Sequence, residues 1–254
     1  MLTHSLLPKL KALKLSGILD TLEQRVQTAQ EQAMSPLEFL ALILDDEQER
    51  REQHRLHRRI KESGIAEDQT LARFDFTAAP RVPKTLMADL ALCRFVEHGE
   101  NVLFCGPTGT GKSHLAQALA QEAIKHGYRA LSRPTHTLLA ALHAGRADGT
   151  HAKHRIRLMN VDVLVLDDFG LVPLSSQATE DLYEIIRERY ERKSILLTSN
   201  RAPEEWAEVF GNPLLASAAL DRLTHHAHVI TIEGNSYRQR KRKQPSKAKE
   251  KKVR

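Results

Sequence analysis

The stretch FCGPTGTGKSHL, Phe104–Leu115, constrains this chain more than any other. Gly106 is followed by four residues and then by Gly111-Lys112-Ser113, the spacing of a phosphate-cradling loop. Glycines let successive backbone N–H groups turn inward on a phosphate, the N-terminus of the following helix adds its positive end, and the lysine adds a full charge. Gly106, Pro107, Thr108, Gly109, Thr110, Gly111, Lys112, Ser113 and His114 are therefore the expected contacts to a nucleoside triphosphate. Such a loop requires a strand before it and a helix after it, and NVLFC and the segment running to about His126 supply both. Further on come YRALS, a helical pattern from about Thr135, VDVLVLDD, a helical pattern over about 177–191, SILLTSN and HVITIE. Apolar strands alternating with helices predict an α/β fold with a five-stranded parallel sheet covered on both faces. Ligands in such sheets bind at the carboxyl ends of the strands.

Chemistry is expected at those ends. VLVLDDFG is an apolar strand closing on two acids. Beside a phosphate loop, Asp167 with the Ser113 hydroxyl suits a magnesium ion, which favours a few oxygen ligands plus phosphates. Asp168 then orients or deprotonates the attacking water. ILLTSN presents Thr198, Ser199 and Asn200 at the edge where the γ-phosphate should lie, and the Asn200 amide can hold water or phosphate because it both donates and accepts. In LLASAALDRLTHHAHVI the apolar residues spread almost around the helix, which suggests packing between two bodies. Arg222 lies within it. At a subunit boundary its forked, permanently charged guanidinium could reach a neighbour's γ-phosphate, whereas a local ion pair with Asp221 or Glu233 is the plainer reading.

Residues 1–69 read as helical. Leu6, Leu10 and Leu13 begin an apolar side that Leu15, Ile18, Leu19 and Leu22 continue,. Ser35-Pro36-Leu37-Glu38 then combines an N-cap serine, a proline at the first helical position and a capping-box glutamate. On the helix this starts, Arg51, Arg55, Arg58 and Arg59 fall on one stripe opposite Leu56 and Ile60. That stripe is a candidate DNA-phosphate surface, although Glu47, Glu49 and Glu52 could pair within it. Between about Gly64 and Pro83 helical periodicity is lost, which marks a linker and divides the chain into a helical domain (1–69) and a nucleotide-binding domain (70–237). From Arg238 on, ten lysines and arginines face one acid, so this segment carries +9 of an overall +6. A block so charged does not fold on itself, and 238–254 reads as a disordered tail that could act as a nucleic-acid arm. No run approaches the roughly 18 apolar residues of a membrane span. Lysines interrupt MLTHSLLPKLKALKLSG where a signal peptide needs an apolar stretch, so a cytoplasmic location without membrane contact is expected.

Taken together, the phosphate loop, VLVLDDFG, RYERKSILLTSNRAPEEW, LDRLTHHAHVITIEG, SYR, and the N-terminal LKLSGILDTL and SPLEFLALILDDE resemble the IstB ATPases, transposition helpers encoded beside the transposase of certain bacterial insertion sequences. The resemblance implies an AAA+ core related to DnaC-type helicase loaders, behind a small helical domain. It implies ATP and Mg2+ as ligands, ATP hydrolysis at homo-oligomer interfaces, and duplex DNA and a cognate transposase as partners. It further implies Lys112 and Ser113 as the Walker A pair, Asp167 and Asp168 as the Walker B pair, Asn200 as the sensor and Arg222 as an arginine finger supplied in trans. Asp168 departs from the glutamate common in the family. A helicase loader is the same-fold alternative; a small-molecule kinase using the same loop needs neither the helical N-terminus nor the basic tail.

Overall fold

The computed structural model describes residues 2–234, with side chains from residue 5 onward; the basic tail falls outside the described residues. The chain separates into two compact units that divide between Arg59 and Ile60, so residues 60–69, expected in the helical domain, group with the nucleotide-binding unit.

The first unit contains α1 (Leu2–Ala12), α2 (Ser16–Glu31) and most of α3 (Pro36–Ser63). The apolar series from Leu6 to Leu22 is split over two helices, because the chain turns at Lys14, whose φ is 56°. The capping box forms: Ser35 N–H donates to Glu38 Oε2 at 2.7 Å and Glu38 N–H to Ser35 Oγ at 3.3 Å. At Gly17 the backbones of α2 and α3 approach so closely that a Cβ would lie 2.7 Å from both Asp46 O and Glu47 Cα. Glu47 uses that approach to cap α2, its Oε2 accepting from Gly17 N at 2.7 Å and Ile18 N at 3.4 Å. Burial opposes its ionisation, yet those N–H groups and Arg51 hold its carboxyl below the usual range,.

The second unit carries α4 (Lys84–Ala91), α5 (Arg94–Glu97), β1 (Asn101–Cys105), α6 (Lys112–Lys125), β2 (Ala130–Pro134), α7 (Thr135–Asp148), α8 (His151–Asn160), β3 (Val163–Phe169), α9 (Ser176–Arg189), β4 (Ser194–Ser199), α10 (Pro213–Thr224) and β5 (Ala227–Thr231). The strands form one five-stranded sheet in the order β2-β3-β4-β1-β5, parallel throughout. This is the predicted α/β architecture. Every residue of β1 and β4 is buried, as central strands covered on both faces require.

At the N-terminal ends of the strands, opposite the expected ligand edge, the buried Arg189 fastens the sheet. Its Nη1 donates to the carbonyls of Leu158 and Val161, and its Nη2 to those of Asp162 and Ser194. Burial pushes its guanidinium down to about 10. In α10, Ala216, Ala219 and Leu223 are buried in the core, and Leu214 is 82% exposed.

Candidate functional site

β1 delivers the chain into the phosphate loop, and α6 begins at Lys112. Gly106 (φ 135°) and Gly111 (φ 97°) are in conformations L-residues rarely adopt,. A Cβ at Gly106 would run into the Ile232 carbonyl oxygen, and one at Gly111 would lie 2.6 Å from the Phe74 ring. Lys112 is only 5% exposed. Its Nζ donates to Gly106 O and Pro107 O, both at 2.7 Å, so backbone carbonyls satisfy an ammonium that phosphate oxygens could take over. Burial pulls that ammonium below its usual range, while the charges of Asp168 and Asp167 pull it back up,.

The two acids sit on a β-bulge. Leu166 pairs with Leu197 and Phe169 with Ser199, so Asp167 and Asp168 together face the single residue Thr198,. Asp168 has φ 54°, a left-handed conformation that short polar Asp tolerates better than a longer side chain would. Of the polar groups expected at this edge, Thr198 and Ser199 are fully buried and turn to β3: Thr198 donates to Asp167 Oδ1 at 2.5 Å and Ser199 to Phe169 O at 3.0 Å. Asn200 reaches the cleft itself.

Thr108, Gly109, Thr110, Gly111, Lys112, Ser113, His114, Asp167, Asp168 and Asn200 all line one cleft of about 600 Å³, within the range of small-molecule sites. The carboxylate of Asp167 and hydroxyl of Ser113 make an oxygen donor set that fits a magnesium ion. The cleft has a wall built from the segment expected as a linker. Ala66 is tied to α6 by Gln117 and Gln121, and His114 Nε2 donates to Thr70 O at 2.8 Å. Phe74 packs edge-on against Phe76 with centroids 4.8 Å apart and tilted against His114. Arg81 pairs with Glu233 beside it. Two phenylalanines in the otherwise polar RFDF are a signal for packing that helical periodicity does not capture.

Arg222 lies outside this cleft's described lining. It makes no ion pair with Asp221 or Glu233 among the contacts of the described residues. Its Nη1 donates to Ala218 O at 2.7 Å, and its guanidinium lies 5.8 Å from the Tyr183 ring and 5.9 Å from the Tyr190 ring.

In the helical unit, Arg51, Arg55 and Arg58 line a concave surface with Lys14, Arg50 and His54, which sequence spacing did not group with them. Arg51 also has an internal task, its Nε donating to Glu47 Oε1 at 2.7 Å. Arg59 is exposed on the same helix. Among the described residues, no helix is long and apolar enough to cross a membrane.

Residues 8–245 match the family model described as IstB-like ATP binding protein. An insertion-sequence protein of Mycobacterium tuberculosis (strain ATCC 25618 / H37Rv), described as ATP-binding, is 40% identical over 92% of this chain and 93% of its own length. Among solved structures, the DnaC helicase loader superposes with a TM-score of 0.50 at 27% identity, over 57% of this chain and 88% of that one. AMPPCP-bound DnaA from Aquifex aeolicus superposes with a TM-score of 0.57 at 25% identity, over 69% of this chain. The chain spans about half the length of that DnaA, 53%.

Proposed function

This chain belongs to the family of IstB-like ATP binding proteins, and we propose that it hydrolyses ATP as an AAA+ helper of transposition, assembling on duplex DNA and recruiting or stimulating its transposase. The observation that carries the reading is the single cleft in which the phosphate loop, Asp167, Asp168 and Asn200 converge. Lys112 would leave the Gly106 and Pro107 carbonyls for the β- and γ-phosphates. Ser113 and Asp167 would hold Mg2+, which supplies charge neutralisation of the phosphates. Asp168 would orient the attacking water and take its proton as the γ-phosphoryl bond to ADP breaks, and Asn200 would hold water or γ-phosphate in line. Arg222, outside its own chain's cleft, would serve a neighbour. The names of relatives support ATP binding and an insertion-sequence setting. The likeness to a helicase loader favours one other reading, in which the helical unit grips a helicase instead of DNA.

For DNA, the cationic concavity of the helical unit would meet duplex backbone phosphates with little sequence readout. Because Arg51 braces Glu47, the informative variant is Arg55→Gln/Arg58→Gln/Arg59→Gln with Arg51 kept. In fluorescence anisotropy with ATP across a salt series, the parent should bind unrelated duplexes alike, and the log-log salt slope of the variant should fall by about 0.9 for each phosphate it no longer neutralises. An unchanged affinity and slope would move the DNA-binding surface away from α3, and helicase binding without duplex binding would favour the loader.

A further inference from the structure

We propose that Thr198 is the positioning residue of the Asp167–Asp168 pair, a role that rests on the ATPase reading above. The bulge brings three residues together, setting Asp167 and Asp168 of β3 opposite Thr198 of β4. Thr198 Oγ1 accepts the Asp168 N–H at 2.9 Å and donates its own hydrogen to Asp167 Oδ1 at 2.5 Å. One hydroxyl, fully buried, thus holds the backbone of one acid and the carboxylate of the other. Because a hydroxyl has one hydrogen to give, donating it to Asp167 Oδ1 fixes the sense of the chain of bonds. Among the hydrogen bonds of the described residues Oδ2 accepts none, which leaves it to a metal ion.

Neighbouring groups hold the frame around this hydroxyl without duplicating it. Thr135 Oγ1 donates to Asp167 O at 2.9 Å. Ser199 Oγ donates to Phe169 O and accepts from Trp206 Nε1 and Arg201 N at 3.1 Å each. These bonds fix the backbone at both ends of the bulge. Among the hydrogen bonds of the described residues, Thr198 is the group that reaches the Asp167 carboxylate. Phe104 of β1, two residues before Gly106 of the phosphate loop, pairs with Thr198 in register, and full burial shields the hydroxyl from competing water.

Removing the hydroxyl while keeping the shape, Thr198→Val, isolates the role. Three measurements on the full-length chain separate positioning from mere structure: affinity for an ATP analogue in EDTA, Mn2+ affinity of the analogue-bound protein by electron paramagnetic resonance, and kcat. We expect analogue affinity in EDTA within about twofold of the parent, Mn2+ affinity and kcat each reduced about tenfold or more, and recovery of both to within about threefold in Thr198→Ser. If the valine variant does not fold, Thr198→Cys keeps a side chain of similar size with a weak donor, and should lower Mn2+ affinity at least about threefold. A folded valine or cysteine variant with parental Mn2+ affinity and kcat overturns the proposal. So does a serine variant that recovers neither. A parent protein that neither binds Mn2+ with the analogue nor turns over ATP would instead overturn the ATPase reading itself.

Discussion

Replacing Arg222 with alanine is expected to lower ATP turnover about a thousandfold while leaving ATP affinity within about twofold of the parent, because an arginine finger acts on charge that develops in the transition state. The geometry gives this expectation its form. The guanidinium is flanked by Tyr183 and Tyr190 and tied to Ala218 O, away from the lining of its own chain's cleft. Aromatic faces can carry a cation without neutralising it, so the charge stays available to a phosphate brought up by a neighbour. Mixing therefore separates trans from cis action. Combined with an Asp168→Asn subunit, which retains an intact Arg222, the Arg222→Ala subunit should regain part of the turnover at interfaces that pair the two unaltered halves. Mixed oligomers without any recovered activity would assign Arg222 to its own subunit or to structure alone.

Lys112→Ala is expected to weaken ATP binding by about two orders of magnitude, the scale of losing a charge-assisted hydrogen bond to phosphate in a largely buried site. Isothermal titration with ATP and Mg2+ checks it. Two effects compete, since the alanine variant also leaves the Gly106 and Pro107 carbonyls without the donor they now share. Gly106 is half-buried and Pro107 exposed, so water can replace the ammonium, the fold should persist and the loss should appear in binding. Asp168→Asn should do the opposite, keeping ATP and stopping turnover, because in the proposed mechanism its carboxylate takes the proton of the attacking water, and its removal takes a negative charge away from the phosphates. Equal behaviour of the two variants would undo the assignment of roles within the cleft.

The phosphate loop, the strand ending in Asp167 and Asp168, and the parallel sheet are legible because each is written in consecutive residues: glycines at fixed offsets, or an apolar run with a polar end. What sequence does not carry is the meeting of distant segments. Thr198 looks like another polar residue at a strand end, and its role appears when the bulge sets Asp167 and Asp168 opposite it. RFDF has no period, and becomes a wall of the cleft because Ala66 and Thr70 are anchored on α6. Arg189 reads as one more charge near the end of an amphipathic helix, and its four carbonyl partners come from α8, the loop after it and β4. Arg51 falls on the cationic stripe when arginine spacing alone is considered; Glu47, one turn earlier, claims it since Glu47 is itself needed at the start of α2. The small helices α4 and α5 and the highly charged α8 lack the long apolar repeat that marks a helix in sequence.

ATP-dependent assembly on duplex DNA is the central claim, and mass is its most direct readout. Native mass measurement of the full chain, without nucleotide, with ATP and Mg2+, and with both plus an arbitrary duplex, should give a small species first and larger assemblies containing DNA only in the last condition or most abundantly there. A monomer under all three conditions would contradict the account.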